Sequence, residues 1–351
     1  MIRTQTRQVF VGDVPIGDQS RITVQSMTTT KTENYDDTIR QIHQLEESGC
    51  DIIRVTVPSQ TAAKNLTNLI KNSYVPIVAD IHFDYRLALK SVDAGVQKIR
   101  INPGNIGKSD RVRAVLDSCK SANVPIRIGV NAGSLEKDII EKYGYPTAEG
   151  MLESAQRHIR ICEENGFQNL IVSLKSSDVA MMILANRMFA EKYDIPLHLG
   201  VTEAGPFRSG TVKSSVGIGT LLAEGIGDTI RVSLTDDPVR EVEVGQEILK
   251  SLGYPSKSVT LISCPTCGRL EVDLIDLVRK LEEKIAAIQK PIKVAVMGCV
   301  VNGPGEAKDA HLGIACGKKQ AVLYRDGKAI GKIPENQILE KLMNEIENYP
   351  V

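Results

Sequence analysis

Asp36-Asp-Thr-Ile-Arg-Gln-Ile-His-Gln-Leu-Glu-Glu-Ser-Gly-Cys-Asp-Ile-Ile-Arg-Val-Thr-Val57 contains one whole repeat of the fold. Ile39, Ile42 and Leu45 recur at the spacing of a helix with one apolar face, and Gly49 supplies the left-handed residue on which helices commonly end. The β-branched run 51–57 after it is a short buried strand. Outward from this unit, runs of the same kind fall at 22–27, 76–81, 97–101, 125–130, 169–174, 196–201 and 229–234, separated by helix-like segments. Eight strand–helix steps predict an α/β fold that begins with an N-terminal (β/α)8 TIM barrel, with functional residues at the C-terminal ends of its strands. Upstream, Gln8-Val-Phe-Val-Gly-Asp-Val-Pro-Ile16 predicts a hairpin turning at Gly12-Asp13 and closing the barrel floor.

After Leu252 the rhythm changes. Gly253-Tyr-Pro-Ser-Lys257 predicts a linker, and residues 258–351 predict a small C-terminal α/β domain. Its expected elements are strands 259–263, 293–297 and 321–325, a helix 272–288 and a hairpin turn at Asp326-Gly327. The expected domains are therefore 1–252 and 258–351.

Composition narrows the function. The 351 residues are 42% hydrophobic and 25% charged, with 43 Lys plus Arg against 43 Asp plus Glu. That balance leaves no global field to draw nucleic acid or an anionic membrane, so no partner of either kind is expected. Met1-Ile-Arg-Thr-Gln-Thr-Arg7 has no apolar core like a signal peptide's, and no run approaches a membrane span; a cytoplasmic chain is expected. Seven cysteines, an odd and scattered number, fit reduced thiols better than a disulfide framework.

Arg54, Arg100, Arg127, Lys175 and Arg231 fall within or just after five different predicted strands, where an apolar barrel core is expected. Cations ringed around one mouth need anions to neutralise them, and guanidinium forks suit phosphate oxygens, so a diphosphate ligand is expected. Asn102 and Asn131 end two of these strands and Ser233 shares a face with Arg231, adding hydrogen bonds to the same ligand. The blander alternative is internal salt bridges to Asp80, Glu203 or Asp51. Asp80 and His82 alternate onto one face, and Thr202-Glu203 follows another strand; these groups suit substrate hydroxyls or proton transfer, with Glu203 as the acid that helps a hydroxyl leave. His198, inside a strand, reads as structural. Gly217-Ile-Gly219 lacks the acidic residue of a dinucleotide fingerprint and reads as a helix start.

The second domain carries Cys264-Pro-Thr-Cys267 and then Cys299 in Met297-Gly-Cys-Val-Val-Asn-Gly-Pro-Gly-Glu306. A zinc ribbon would show a second close pair, whereas here Cys299 stands alone on an apolar strand, which favours iron–sulfur. Spacing leaves the fourth ligand open between Glu306 and Cys316, and His311 is available to complete a zinc site. Cys50, Cys119 and Cys162 lie in barrel segments and read as small buried side chains.

The strings Val24-Gln-Ser-Met-Thr28, Val78-Ala-Asp-Ile-His82, Arg100-Ile-Asn-Pro-Gly-Asn105, Gly129-Val-Asn-Ala-Gly-Ser134, Ser263-Cys-Pro-Thr-Cys-Gly268 and Gly298-Cys-Val-Val-Asn-Gly-Pro-Gly-Glu306 closely resemble the 4-hydroxy-3-methylbut-2-enyl diphosphate synthases of isoprenoid biosynthesis. The resemblance runs almost end to end. It implies a 4Fe-4S cluster held by Cys264, Cys267 and Cys299, with Glu306 as a carboxylate fourth ligand, which binds its iron less tightly than a thiolate would. It places the diphosphate of 2-C-methyl-D-erythritol 2,4-cyclodiphosphate on Arg54, Arg100, Arg127, Lys175, Arg231 and Ser233, near Asn131, with Glu203 as the acidic residue beside it. The implied reaction is a two-electron reductive ring opening with loss of water. Flavodoxin or ferredoxin is the implied donor, and a homodimer with each active site shared between subunits is the implied assembly. The alternative from another class is a non-redox, phosphate-binding TIM barrel with a zinc-stabilised C-terminal module.

Overall fold

A computed structural model describes residues 3–82, 84–255, 258–286, 288–301 and 303–350. Ser256 and Lys257 of the expected linker, and Asn302 of the cysteine-bearing string, lie outside the described residues. Contacts divide the chain into two compact units, Met1–Leu252 and Gly253–Val351.

The first unit opens with strands β1 (Val9–Val11) and β2 (Val14–Ile16), then β3 (Thr23–Met27), β4 (Ile52–Thr56), β5 (Ile77–Asp80), β6 (Lys98–Arg100), β7 (Ile126–Asn131), β8 (Leu170–Lys175), β9 (His198–Leu199) and β10 (Thr229–Ile230). Its helices are α1 (Tyr35–Glu47), α2 (Gln60–Asn72), α3 (Tyr85–Asp93), α4 (Ser109–Ser121), α5 (Lys137–Tyr143), α6 (Ala148–Glu164), α7 (Val179–Ala190), α8 (Phe207–Ala223) and α9 (Pro238–Ser251). Strands β3 to β10 pair in parallel in the order β8-β7-β6-β5-β4-β3-β10-β9. A parallel bridge between Val172 and Leu197 joins the two ends of that series. All eight expected strands are present, and together they form the TIM barrel.

Helix starts obey local chemistry. Asn34, Ser59, Asp84, Thr147, Asp178 and Asp237 each accept a backbone N–H of the first turn, satisfying one of the donors a helix leaves open. The β1–β2 hairpin pairs Val9 with Ile16 across a turn at Gly12, whose φ is +58°. Val9, Val11 and Ile16 pack with Ile52, Val78 and Ile171 into one buried cluster, so the hairpin is an apolar plug for the strands' N-terminal ends. The Gly217-Ile-Gly219 expectation is corrected: both glycines sit in the second half of α8, not at its start. A Cβ on Gly217 would lie 2.6 Å from Met182 Cε and 2.8 Å from Val201 Cγ2; close helix packing, not a phosphate, accounts for that glycine.

The second unit comprises β11 (Thr260–Ser263), α10 (Leu274–Ile285), β12 (Lys293–Met297), α11 (Gly303–Lys308), β13 (Leu312–Gly317), β14 (Gln320–Arg325), β15 (Lys328–Pro334) and α12 (Ile338–Glu347). The sheet order is β11-β12-β13-β14-β15. The first three strands run parallel and the last two form an antiparallel meander. Asp326 (φ +48°) and Gly327 (φ +75°) make the expected hairpin turn. Helices α10 and α12 cover the sheet through Leu274, Leu281, Leu342 and Ile346, packed on Val294, Val296 and Ile314. Among the described residues, no helix is long and apolar enough to cross a membrane.

Candidate active site and thiol centre

Strand register decides which side chains meet at the barrel mouth. Directly opposed residues of a parallel pair share a face. Asp80 opposes Arg100, and Arg100 opposes Arg127, so charged side chains from β5, β6 and β7 turn inward together. Arg54, Lys175 and Arg231 join them around a cavity of about 200 Å³, lined also by His82, Asn131, Thr202, Ser233, Ser173 and Gly129. All five cations named from the sequence therefore line one space.

Two expected residues do not. The Asn102 side chain donates to the Gly129 carbonyl at 2.9 Å and accepts the Gly129 N–H at 2.8 Å, so it ties β6 to β7 with both ends of its amide committed. Glu203 is exposed and outside the lining, with a φ of +52°, a conformation that non-glycine residues rarely adopt.

Charge inside the barrel is lopsided. Asp80 sits 3.3 Å from Arg100 Nη1, 3.5 Å from His82 Nε2 and 3.6 Å from Arg54 Nε. Glu241, buried on α9, accepts Ser26 Oγ–H at 2.9 Å and the Leu234 N–H at 3.0 Å, and lies 3.4 Å from Arg231 Nη2. Arg54 also donates to Met27 Sδ from Nε at 3.1 Å and Nη2 at 2.8 Å. The salt-bridge alternative therefore accounts for Arg54, Arg100 and Arg231, though Asp51 pairs with exposed Arg21 instead and Glu241 was not anticipated. It leaves two cations over: among the described residues, Arg127 and Lys175 belong to no ion pair, and Arg127 Nε is buried with no hydrogen-bond partner. Lys98, fully buried below them, bonds the Gln25 side-chain oxygen at 3.1 Å.

The electrostatic consequences have clear signs. Burial, with neighbouring arginines, pushes Arg127 and Lys175 well below their ordinary pKa values, and burial brings Arg54 down to about 10 despite Asp80. Burial works to raise the Asp80 carboxyl, but Arg54, the His82 hydrogen bond and Arg100 together overcome it and hold Asp80 well below the usual range. Unpaired buried cations cost several kcal/mol each, which a polyanion in the cavity would offset.

In the second unit, Cys264 directly follows β11 and Cys299 lies two residues past β12, not on the strand as expected. These two strands are parallel neighbours, Ser263 opposing Val296, so both cysteines follow the C-terminal ends of adjacent strands, at the same end of the sheet. The Gly298 N–H donates to Cys264 Sγ at 3.2 Å, the kind of bond that tunes a metal-bound thiolate. Accessibility separates the seven cysteines: Cys264 and Cys299 are half-buried and Cys267 is exposed, while Cys50, Cys119, Cys162 and Cys316 are buried. Burial first, then the charge of Cys264, pushes the Cys316 thiol up to about 12, and Cys316 packs in the core with Val294, Val296 and Ile314. Glu306 is exposed on α11. His311 Nδ1 accepts the Lys293 N–H at 2.8 Å, a structural use of that ring. Three accessible thiols and a carboxylate are a donor set of the kind an iron–sulfur cluster needs, although no group of three or more His, Cys, Asp or Glu among the described residues is already drawn together around a metal-sized point.

Fold and site together define a (β/α)8 barrel with an anion-seeking mouth, joined in sequence to an α/β unit whose accessible thiols come after two adjacent parallel strands. Residues 6–246 match the GcpE TIM-barrel domain and residues 260–348 the GcpE protein C-terminal domain; the chain belongs to the GcpE family. It is 57% identical over 345 residues to the 4-hydroxy-3-methylbut-2-en-1-yl diphosphate synthase (flavodoxin) of Geobacillus thermodenitrificans (strain NG80-2), covering 98% of this chain and 92% of that protein. Its counterpart in Anoxybacillus flavithermus (strain DSM 21510 / WK1) is 55% identical, with 98% and 95% covered. The dihydropteroate synthase of Yersinia pestis, 15% identical, superimposes on 70% of this chain and 97% of its own with a TM-score of 0.50, a likeness of fold alone.

Proposed function

We propose that the chain catalyses the reductive ring opening and dehydration of 2-C-methyl-D-erythritol 2,4-cyclodiphosphate to (E)-4-hydroxy-3-methylbut-2-enyl diphosphate, with reduced flavodoxin as electron donor. Two electrons and protons enter, the ring C–O bond to phosphate breaks, and one hydroxyl leaves as water. The observation that carries the reading is the pair of buried cations without counter-ions among the described residues, Arg127 and Lys175, in a cavity that three further arginines line. The names of relatives above half identity supply the diphosphate product and the donor.

Arg54, Arg100, Arg127, Lys175 and Arg231 hold the diphosphate oxygens, with Asn131, Thr202 and Ser233 adding hydrogen bonds. Asp80 stays ionised, so its work is to orient Arg54, Arg100 and His82 rather than to donate a proton. Glu203 carries the proton for the departing hydroxyl; its left-handed backbone is the kind of local strain retained at functional positions. Cys264, Cys267, Cys299 and Glu306 would hold a 4Fe-4S cluster, which when bound supplies electrons one at a time. Asn102 is assigned no substrate contact, because Gly129 occupies its amide.

The working unit is a homodimer. Leu184 on α7 and Val212 and Val216 on α8 are large exposed apolar side chains on adjacent helices, the kind of surface that marks an association site. Changing both valines to aspartate is expected to give a monomer by light scattering; an unchanged mass would remove this face as the interface.

The reading is tested by metal and acid-labile sulfide analysis of anaerobically purified protein. About four iron and four sulfide per chain, with bleaching by dithionite and turnover of the cyclodiphosphate, are expected. One zinc with no sulfide would overturn the redox reading in favour of a phosphate-binding barrel with a structural metal.

A further inference from the structure

Lys98 is a buried charge that the proposed chemistry does not use. It stands on β6 below the cavity, is fully buried, and does not line the mouth. Among the described residues its one side-chain acceptor is the neutral Gln25 Oε1 at 3.1 Å, and Gln25 Nε2 is itself buried without a partner. Its register partner on β5 is Val78, a member of the buried apolar cluster that the hairpin closes. The charges that act on it are those of Arg127 and Arg54, both positive. From β9, His198 is also fully buried, with Nε2 unpartnered. The other titratable or charged groups of the barrel interior are Asp80 on β5, Arg100 on β6, Lys175 on β8, Arg231 just after β10 and Glu241 on α9. Both carboxylates are already engaged, Asp80 by Arg54 and Arg100, Glu241 by Arg231, Ser26 and Leu234.

An ammonium without a counter-ion, dry and beneath two guanidinium groups, is costly; the same nitrogen as a neutral amine is cheap. A polyanion seated on Arg54 and Arg127 reverses the local potential. We propose that Lys98 is a specificity-determining residue of the anion site, taking up a proton as a highly charged ligand settles on the cations above it and so favouring a diphosphate over a less charged phosphate. The inference rests on the reading of the mouth as a diphosphate site. Burial and the two arginines push the Lys98 amine well below its ordinary value in the free barrel, in agreement with the geometry.

The free site lacks the proton and the occupied site holds it. Binding therefore takes up a proton in the interval between the two values, and across that interval affinity falls as pH rises, by up to about tenfold per pH unit for one proton. A ligand of lower charge raises the amine's affinity for the proton less and gains less from it.

Calorimetric titration of the intact chain with inorganic pyrophosphate, at one pH in two buffers of different ionisation enthalpy, reads the proton count directly. Protons exchanged by pyrophosphate itself cancel between variants. Lys98→Met is expected to take up fewer protons than wild type, by up to about one per site, and to prefer pyrophosphate over orthophosphate less strongly. Gln25→Glu would give Lys98 a permanent counter-ion and should lose the same proton uptake with the lysine still present, which keeps the test available if Lys98→Met folds poorly. Equal uptake in wild type and both variants would overturn the inference. No pyrophosphate binding by wild type would instead overturn the reading of the mouth on which it rests.

Discussion

Arg127 shows how a residue that harms the empty fold can be retained for its ligand. The residue is 2% exposed, has no ion pair among the described residues and leaves Nε unbonded, so in the free barrel it contributes desolvation without compensation. Replacing it with leucine is expected to leave the thermal midpoint of the ligand-free protein unchanged or raised. The same change should weaken pyrophosphate binding by about 2–5 kcal/mol, the cost of truncating one side of a buried charge pair. A large drop in the ligand-free midpoint, measured by scanning calorimetry, would mean that Arg127 is a structural cation after all. The residues that sequence could reveal were those that break a local rule: a cation inside an apolar strand is visible without any structure. Lys98 breaks the same rule inside the run 97–101 and was readable on the same grounds. Glu241 was not, because its carboxylate reaches Ser26 and Arg231 from a helix where an acidic residue is unremarkable. Asn102 ends its strand as read from the sequence, and structure adds that its amide stitches β6 to β7.

At the scale of elements, floor and mouth of the barrel are separable. The β1–β2 hairpin fills the floor with Ile16, which is fully buried against Ile52, Val78 and Ile171. Ile16→Ala is expected to destabilise the barrel by about 2–5 kcal/mol through the cavity it leaves, while pyrophosphate affinity in the folded protein stays at the wild-type value. A loss of affinity alongside stability would show that the floor sets the geometry of the mouth. A second tie joins α5, through the residue before it, to α6. His158 Nε2 lies 3.2 Å from Glu136 Oε1, Ser154 Oγ–H donates to the same oxygen at 3.1 Å, and the Gly104 N–H donates to His158 Nδ1 at 3.1 Å. The His158 hydrogen bond, with Glu136's own backbone N–H and Ser154 behind it, outweighs burial and holds the Glu136 carboxyl at about 2, below the ordinary 4.5. A depressed carboxylate contributes stability that is present above its unfolded value and lost as pH falls through its folded one. The difference in urea midpoint between wild type and Glu136→Gln should therefore be constant above about pH 5 and shrink toward pH 2; a difference that grows on acidification would refute the assignment. The barrel strands were legible because each is a short β-branched run between helical repeats. Strands β13 and β15 and helix α12 were not anticipated, although Ile338, Leu342 and Ile346 keep helical spacing. Their burial depends on sheet neighbours that a local window does not contain.

For the whole molecule, the candidate chemistry falls on two units: cations inside a barrel in one, accessible thiols after the strands of a mixed sheet in the other. The boundary was legible as a change of rhythm at Leu252, because the strand–helix repeat stops there and gives way to a glycine, a proline and a serine. Spacing singled out Cys264, Cys267 and Cys299, and structure adds that these are the accessible cysteines while Cys316 is buried in the core. The division predicts a double dissociation. Cys299→Ser should lower iron and sulfide content and abolish turnover, because an alkoxide is a poor substitute for a thiolate on iron, yet pyrophosphate should bind this variant as it binds wild type. Arg127→Leu should retain wild-type iron, sulfide and visible absorption while losing pyrophosphate affinity, so that turnover fails for want of substrate rather than of electrons. Titration calorimetry and metal analysis on the same two preparations decide it. If Cys299→Ser loses pyrophosphate affinity as completely as Arg127→Leu does, anion binding and cluster binding are one function, and the assignment of each to its own unit is wrong.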